Sequence, residues 1–176
     1  DTTSLSLKGS LSSLASSGAK IEKVEFNLQS HGPTAILRKQ TSATAFTYSL
    51  DLQTQAMRQS DTSLGPLSAQ ARGSFYDIRG ESLETTLDVL STQIELNPTG
   101  GPFAVGKLIA HVEVHKKAKT IRFTDSTLKI DELVGVDLDG DLTVHSNKLI
   151  TAADLKLHAQ VKDLAALKQW LPLNPS

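Results

Sequence analysis

The chain has 176 residues, 39% hydrophobic and 21% charged, with 18 Lys and Arg against 19 Asp and Glu and a formal net charge of −1. This is a globular composition with apolar material for one domain or one long sheet, which excludes a disordered chain, and the balanced charge without a basic stripe excludes nucleic acid as partner. With no cysteine, a disulfide framework, a thiolate nucleophile and Cys-ligated zinc or iron–sulfur sites are excluded as well.

The sequence opens Asp1-Thr2-Thr3-Ser4, with no basic or apolar leader, and no apolar run approaches the roughly 18 residues of a membrane-spanning helix. In chain order, the first stretch with a helical spacing is Ser10 to Gly18, where Leu11 and Leu14 precede a glycine, so a short helix is predicted there. Period-two alternation then takes over. It runs through Val24/Phe26/Leu28, Phe46/Tyr48/Leu50/Leu52, Leu67/Ala69/Ala71, Thr85/Leu87/Val89, Ile94/Leu96 and Leu108/Ala110/Val112/Val114. It continues through Ile121/Phe123, Leu128/Ile130, Val134/Val136/Leu138, Leu142/Val144 and Leu155/Leu157/Ala159/Val161. Such alternation marks strands with one buried and one wet face, and predicts about ten to twelve of them. Turns are expected at Ser30-His31-Gly32-Pro33, Leu64-Gly65-Pro66, Arg79-Gly80 and Asn97 to Pro102, and a three-residue hairpin loop around a left-handed Gly140 is expected to split Val134 to Val144. A meander is the simplest topology. A helix is predicted over Asp163 to Leu171, with Asp163 as N-cap, Leu164, Leu167 and Leu171 on one face, and Pro172 as stop. The C-terminal end, Leu173-Asn174-Pro175-Ser176, follows directly, as expected of a piece cut from a longer protein.

The motifs that carry chemistry elsewhere are incomplete here. His111, Glu113 and His115 alternate along one strand and share a face, but no further ligand is implied, and Val112 and Val114 take the apolar side. Asp137, Asp139 and Asp141 begin like a calcium loop, yet Leu142 and Lys148 stand where that loop needs its glycine and its bidentate glutamate. Asn97-Pro98-Thr99 and Asn174-Pro175-Ser176 carry proline at the position that forbids glycosylation. No nucleophile elbow, Walker loop or dinucleotide fingerprint occurs. No catalytic residue, metal or cofactor is therefore expected.

What remains is the apolar face. A sheet of this many strands must cover it with a second sheet, by barrel closure, with helices or with a ligand. Its residues are mainly aliphatic, which suits acyl chains better than sugars.

The C-terminal stretch from Leu155 through Val161-Lys162-Asp163 to Trp170-Leu171-Pro172 resembles the AsmA-like bacterial envelope proteins, especially the YhdP/TamB branch, in which strand arrays are broken by short helices leading into a Tyr/Trp-Leu-Pro element. Thr127 to Asp131 and Asp141 to Val144 are similar in texture. The resemblance implies a non-enzymatic periplasmic protein whose parent is anchored in the inner membrane by parts outside this chain. It implies a taco-like, strongly curved antiparallel sheet over residues 1–162 with a capping helix over 163–171. Its hydrophobic groove would carry phospholipid acyl chains between inner and outer membranes, lined here by Phe26, Phe46, Tyr48, Leu50, Val112, Val114, Leu155, Leu157 and Val161. Phospholipid, or another acyl-chain ligand, and neighbouring segments of the parent chain are the implied partners. The alternatives from the pattern alone are a structural or adhesive β-sandwich with a dry core, or a closed barrel for a small apolar ligand.

Overall fold

Alternation of apolar residues with Ser, Thr and charged residues is realised as strand along most of the described residues. The computed structural model describes residues 1–16, 19–38, 43–59, 62–77, 81–96, 103–131, 133–144 and 150–163. The first strands are β1 (Thr2–Ser16) and β2 (Ala19–Pro33), followed by the four-residue helix α1 (Thr34–Leu37) and β3 (Phe46–Gln59). Then come β4 (Thr62–Leu64), β5 (Leu67–Phe75), β6 (Ser82–Ser91), β7 (Ile94–Leu96), β8 (Phe103–Val105) and β9 (Leu108–Lys117). The last three are β10 (Thr120–Ile130), β11 (Val134–Val144) and β12 (Ile150–Val161).

All twelve belong to one antiparallel sheet. The short strands are continuations of long ones. β3 pairs with β5 through Thr54 and Leu67 and with β4 through Met57 and Leu64, in one unbroken register. The interruption between β4 and β5 falls at Pro66, which has no N–H to give the ladder, although its carbonyl still accepts from Thr92. β6 with β7, and β8 with β9, likewise keep register on either side of their breaks. The fold is therefore all-β: nine antiparallel lanes in one open, curved sheet, each lane beside its neighbours in sequence. The meander expectation holds. The described strands form neither a second layer nor a closed barrel, since β1 pairs only with β2 and β12 only with β11.

Four local expectations are corrected. Ser10 to Ser16 is strand, not helix: Leu11 lies opposite Val24 and Leu14 opposite Ile21, and between these pairs the ladder skips Ser12 and Lys23, whose φ of 44° is left-handed. The three-residue interval of the leucines spans that irregularity. Asp139-Gly140 makes no turn, because β11 runs straight through it and Gly140 pairs with both Phe123 and Leu155. Ser30 to Pro33 continues β2, with Gly32 and Pro33 opposite Thr3 and Thr2, and Leu64-Gly65-Pro66 lies within a lane instead of turning the chain. Arg79-Gly80, Asn97 to Pro102 and most of the Asp163 to Leu171 helix lie outside the described residues.

Two hairpins show how turn chemistry fixes the ends. β9 and β10 join through Ala118-Lys119, with Ala118 at φ 52°. At the β10–β11 turn the Asp131 carboxylate accepts hydrogen bonds from the backbone N–H groups of Gly106 (2.7 Å) and Lys107, holding the break between β8 and β9.

Candidate functional site

Directly opposed residues in an antiparallel sheet point to the same face, so the register sorts every side chain. One row runs Gly9, Phe26, Leu52, Ala69, Val89 and Ala110, then on through Leu128 and Val136 to Ala159, across all nine lanes. Beside it Leu7, Leu28, Leu50, Ala71, Leu87 and Val112 form a second row. Leu5, Tyr48, Val114, Phe123 and Leu155 belong to a third; Leu11, Val24, Leu67, Leu108 and Val161 to a fourth. The result is one apolar face from the first lane to the last.

All nine residues singled out from the sequence lie on this face. Phe26 sits in β2, Phe46, Tyr48 and Leu50 in β3, Val112 and Val114 in β9, and Leu155, Leu157 and Val161 in β12. They are spread across the sheet and do not form a pocket. Leu5, Leu7 and Leu11 of β1 share the face but were masked by the helical interpretation of the segment beside them; the signal was the plain alternation Leu5, Leu7, Gly9, Leu11.

The aromatic members are seated over glycines. Phe26 covers Gly9, Phe46 covers Gly32 and Tyr48 covers Gly73, where an added Cβ would collide with the ring in each case. Tyr48 reaches past Gly73 so that its hydroxyl and that of Thr85 share a hydrogen bond, and Phe75 stacks on Phe46 at 5.1 Å between ring centroids. This cluster buries Phe46 to 4% exposure. Elsewhere the face is open. Among the described residues only Val24, Ile36 and Phe46 are buried apolar side chains, while Leu5, Leu7, Leu11, Leu87, Leu155, Leu157 and Val161 are exposed, Leu157 to 67%. Polar atoms on this side are few: Ser91 bonds Gln93 (3.1 Å), Ser126 bonds Glu113, and Thr54 Oγ1 is buried without a partner among the described residues.

The opposite face is mostly polar, interrupted by the opposed pair Leu90 and Ile109. Ser4 and His31 share a hydrogen bond at 2.8 Å, His111 meets Asp88 at 2.6 Å, and His115 meets Glu113 at 2.7 Å. The expected sharing of a face by His111, Glu113 and His115 is observed, with each histidine engaged by a carboxylate. Asp137, Asp139 and Asp141 stand in β11 on this face, and Arg122 grips Asp141 through two bonds of 2.8 and 2.9 Å. That bidentate hydrogen bond holds the Asp141 carboxyl below its ordinary value and raises Arg122. Among the described residues no three His, Asp or Glu side chains are grouped to hold a metal ion, and no helix is long and apolar enough to cross a membrane. The surface depressions are shallow and lie between polar-face side chains, as around Ser6, Gln29 and His31 and around Lys129, Asp137 and Gln160.

No protein-family model matches the chain, and no curated protein or solved structure matches it either. The candidate site is thus defined by its own chemistry: a broad aliphatic surface, rimmed and backed by polar side chains.

Proposed function

We propose that the chain is a non-enzymatic lipid-handling segment of a bacterial envelope protein, working in the periplasm and carrying phospholipid acyl chains along its apolar face between inner and outer membranes. One observation carries this reading: an apolar face that spans nine lanes and lies largely uncovered among the described residues. Folded proteins rarely leave a contiguous apolar surface of this extent to water. An acyl chain suits it, because each CH₂ leaving water gains about 0.8 kcal/mol and the aliphatic lining demands no directional contact. Charged head groups would stay at the polar rim. Membrane attachment would come from parts of a longer parent chain.

Native mass spectrometry of the purified chain tests the proposal. The expected result is a series of adducts with phospholipid masses, lost on delipidation and regained on incubation with phosphatidylethanolamine and phosphatidylglycerol vesicles. A chain that purifies without lipid and takes none up from those vesicles would be a structural or adhesive module whose face is covered by another protein layer.

A further inference from the structure

β12 is exposed along its entire length and, among the described residues, is paired with β11 on one side only. A free edge of this length offers a row of N–H and C=O groups that another strand can complete. Two properties of the sheet specify that strand.

The first is direction. The described lanes are nine, an odd number, and every junction is antiparallel, so β1 and β12 run the same way. A second copy added by translation would join β12 to β1 through a parallel ladder, the single parallel junction in such an array. A copy related by a two-fold axis normal to the sheet sets β12 antiparallel to β12 and keeps both apolar faces on one side.

The second is charge. Asp154 lies opposite Asp141, whose carboxylate is already held by Arg122. Neither Asp154 nor Lys156 has an ion-pair partner among the described residues. An axis through Leu155 sets Asp154 opposite Lys156 of the second copy, twice by symmetry, with Leu155 against Leu155 and Ala153 against Leu157 on the apolar side. An axis through Lys156 would set lysine against lysine. One through Leu157 would set Lys156 against His158. The β1 edge has no such complement, since its polar face from Ser4 to Ser10 carries Lys8 and no acid.

We infer that two copies of the chain associate through the β12 edge about a two-fold axis at Leu155, making one continuous sheet with a doubled apolar face. This holds whatever covers that face.

The chain contains no cysteine, so single-cysteine variants report on the edge without background. Opposed residues of an antiparallel pair lie about 4.5–5.5 Å apart at Cα, within disulfide range. Leu155→Cys is expected to give a covalent dimer under mild oxidation, and Leu7→Cys on the equally open β1 edge is not. Sedimentation equilibrium should find a wild-type dimer at high micromolar concentration. Lys156→Asp should weaken it about tenfold, by two lost ion pairs and two repulsive ones. The charge swap Asp154→Lys with Lys156→Asp should restore the wild-type constant. A monomeric wild type, equal crosslinking at both edges, or a swap no tighter than Lys156→Asp alone overturns the inference.

Discussion

At the scale of single residues, the apolar face is shaped by where the chain omits a side chain. Tyr48 faces Gly73 directly, and its hydroxyl meets Thr85 two lanes away, so the phenol ring lies across the glycine. A Cβ at position 73 would meet the Tyr48 ring and the Glu84 carbonyl, and the carbonyl belongs to a ladder that cannot give way. Gly73→Ala is therefore expected to lower stability by about 1–3 kcal/mol in urea denaturation. Gly135→Ala, where nothing lies within 4 Å of the new carbon, should stay within about 0.5 kcal/mol. On the other face, the Asp141 carboxyl is depressed by its hydrogen bonds to Arg122. A depressed folded pKa gives stabilisation that is present above the unfolded value of about 3.9 and is lost as pH falls through the folded value. Both side chains are solvent-exposed, so the effect on overall stability is small. The titration midpoint itself is the better readout: carbon-detected NMR should show the Asp141 midpoint rising toward the ordinary carboxylate range in Arg122→Ala.

At the scale of elements, period two was legible wherever the ladder is regular, and it placed β2, β3, β5, β6, β9 and β12 from residues alone. Where the backbone departs from regularity, the same letters carried another meaning. Leu11 and Leu14 stand at a helical interval, yet each has a strand partner, Val24 and Ile21, in a register that is the same on both sides of the unpaired Ser12 and left-handed Lys23. Asp139-Gly140 has the composition of a hairpin turn, yet Val134, Val136, Leu138, Leu142 and Val144 keep one parity, and Gly140 fills the place opposite Phe123 with φ of 131°. A dipeptide states that the backbone can turn; its long-range partners decide whether it does. The real turn at Asp131 was not read in advance, because its role is tertiary: the carboxylate serves amides some 25 residues away in sequence. Asp131→Ala removes two charge-assisted acceptors and is expected to cost about 1.5–3 kcal/mol. The distinguishing measurement is amide exchange, which should quicken first at Gly106 and Lys107 while the amides of β5 and β6 keep their protection.

At the scale of the whole molecule, the candidate face was legible because choosing every second apolar residue in a meander selects one side of one sheet. Phe26, Leu50, Val112 and Leu157 fall together for that reason. Whether such a side meets a second layer or lies open depends on how many sheets the strands make, which periodicity does not encode, since a sandwich has the same alternation. The described strands make one. The consequence is a graded response to charge on the same face. Phe46 is closed off by Phe75 and Gly32, at 4% exposure, so Phe46→Arg would strand an unpaired guanidinium at a cost of about 3–5 kcal/mol, comparable to the stability of a domain. Leu87 lies in the middle lane, between Ala71 and Val112, yet is 36% exposed. Its replacement by arginine lets the aliphatic stem cover the neighbours while the charge reaches water, at an expected cost of about 1 kcal/mol or less. Leu87→Arg should therefore express, fold and give a wild-type β spectrum while losing most of the phospholipid that the wild type retains in native mass spectrometry. A Leu87→Arg chain as unstable as Phe46→Arg would mean that the centre of the face is dry and packed in solution, and the conduit proposal would then give way to a layered, non-lipid module.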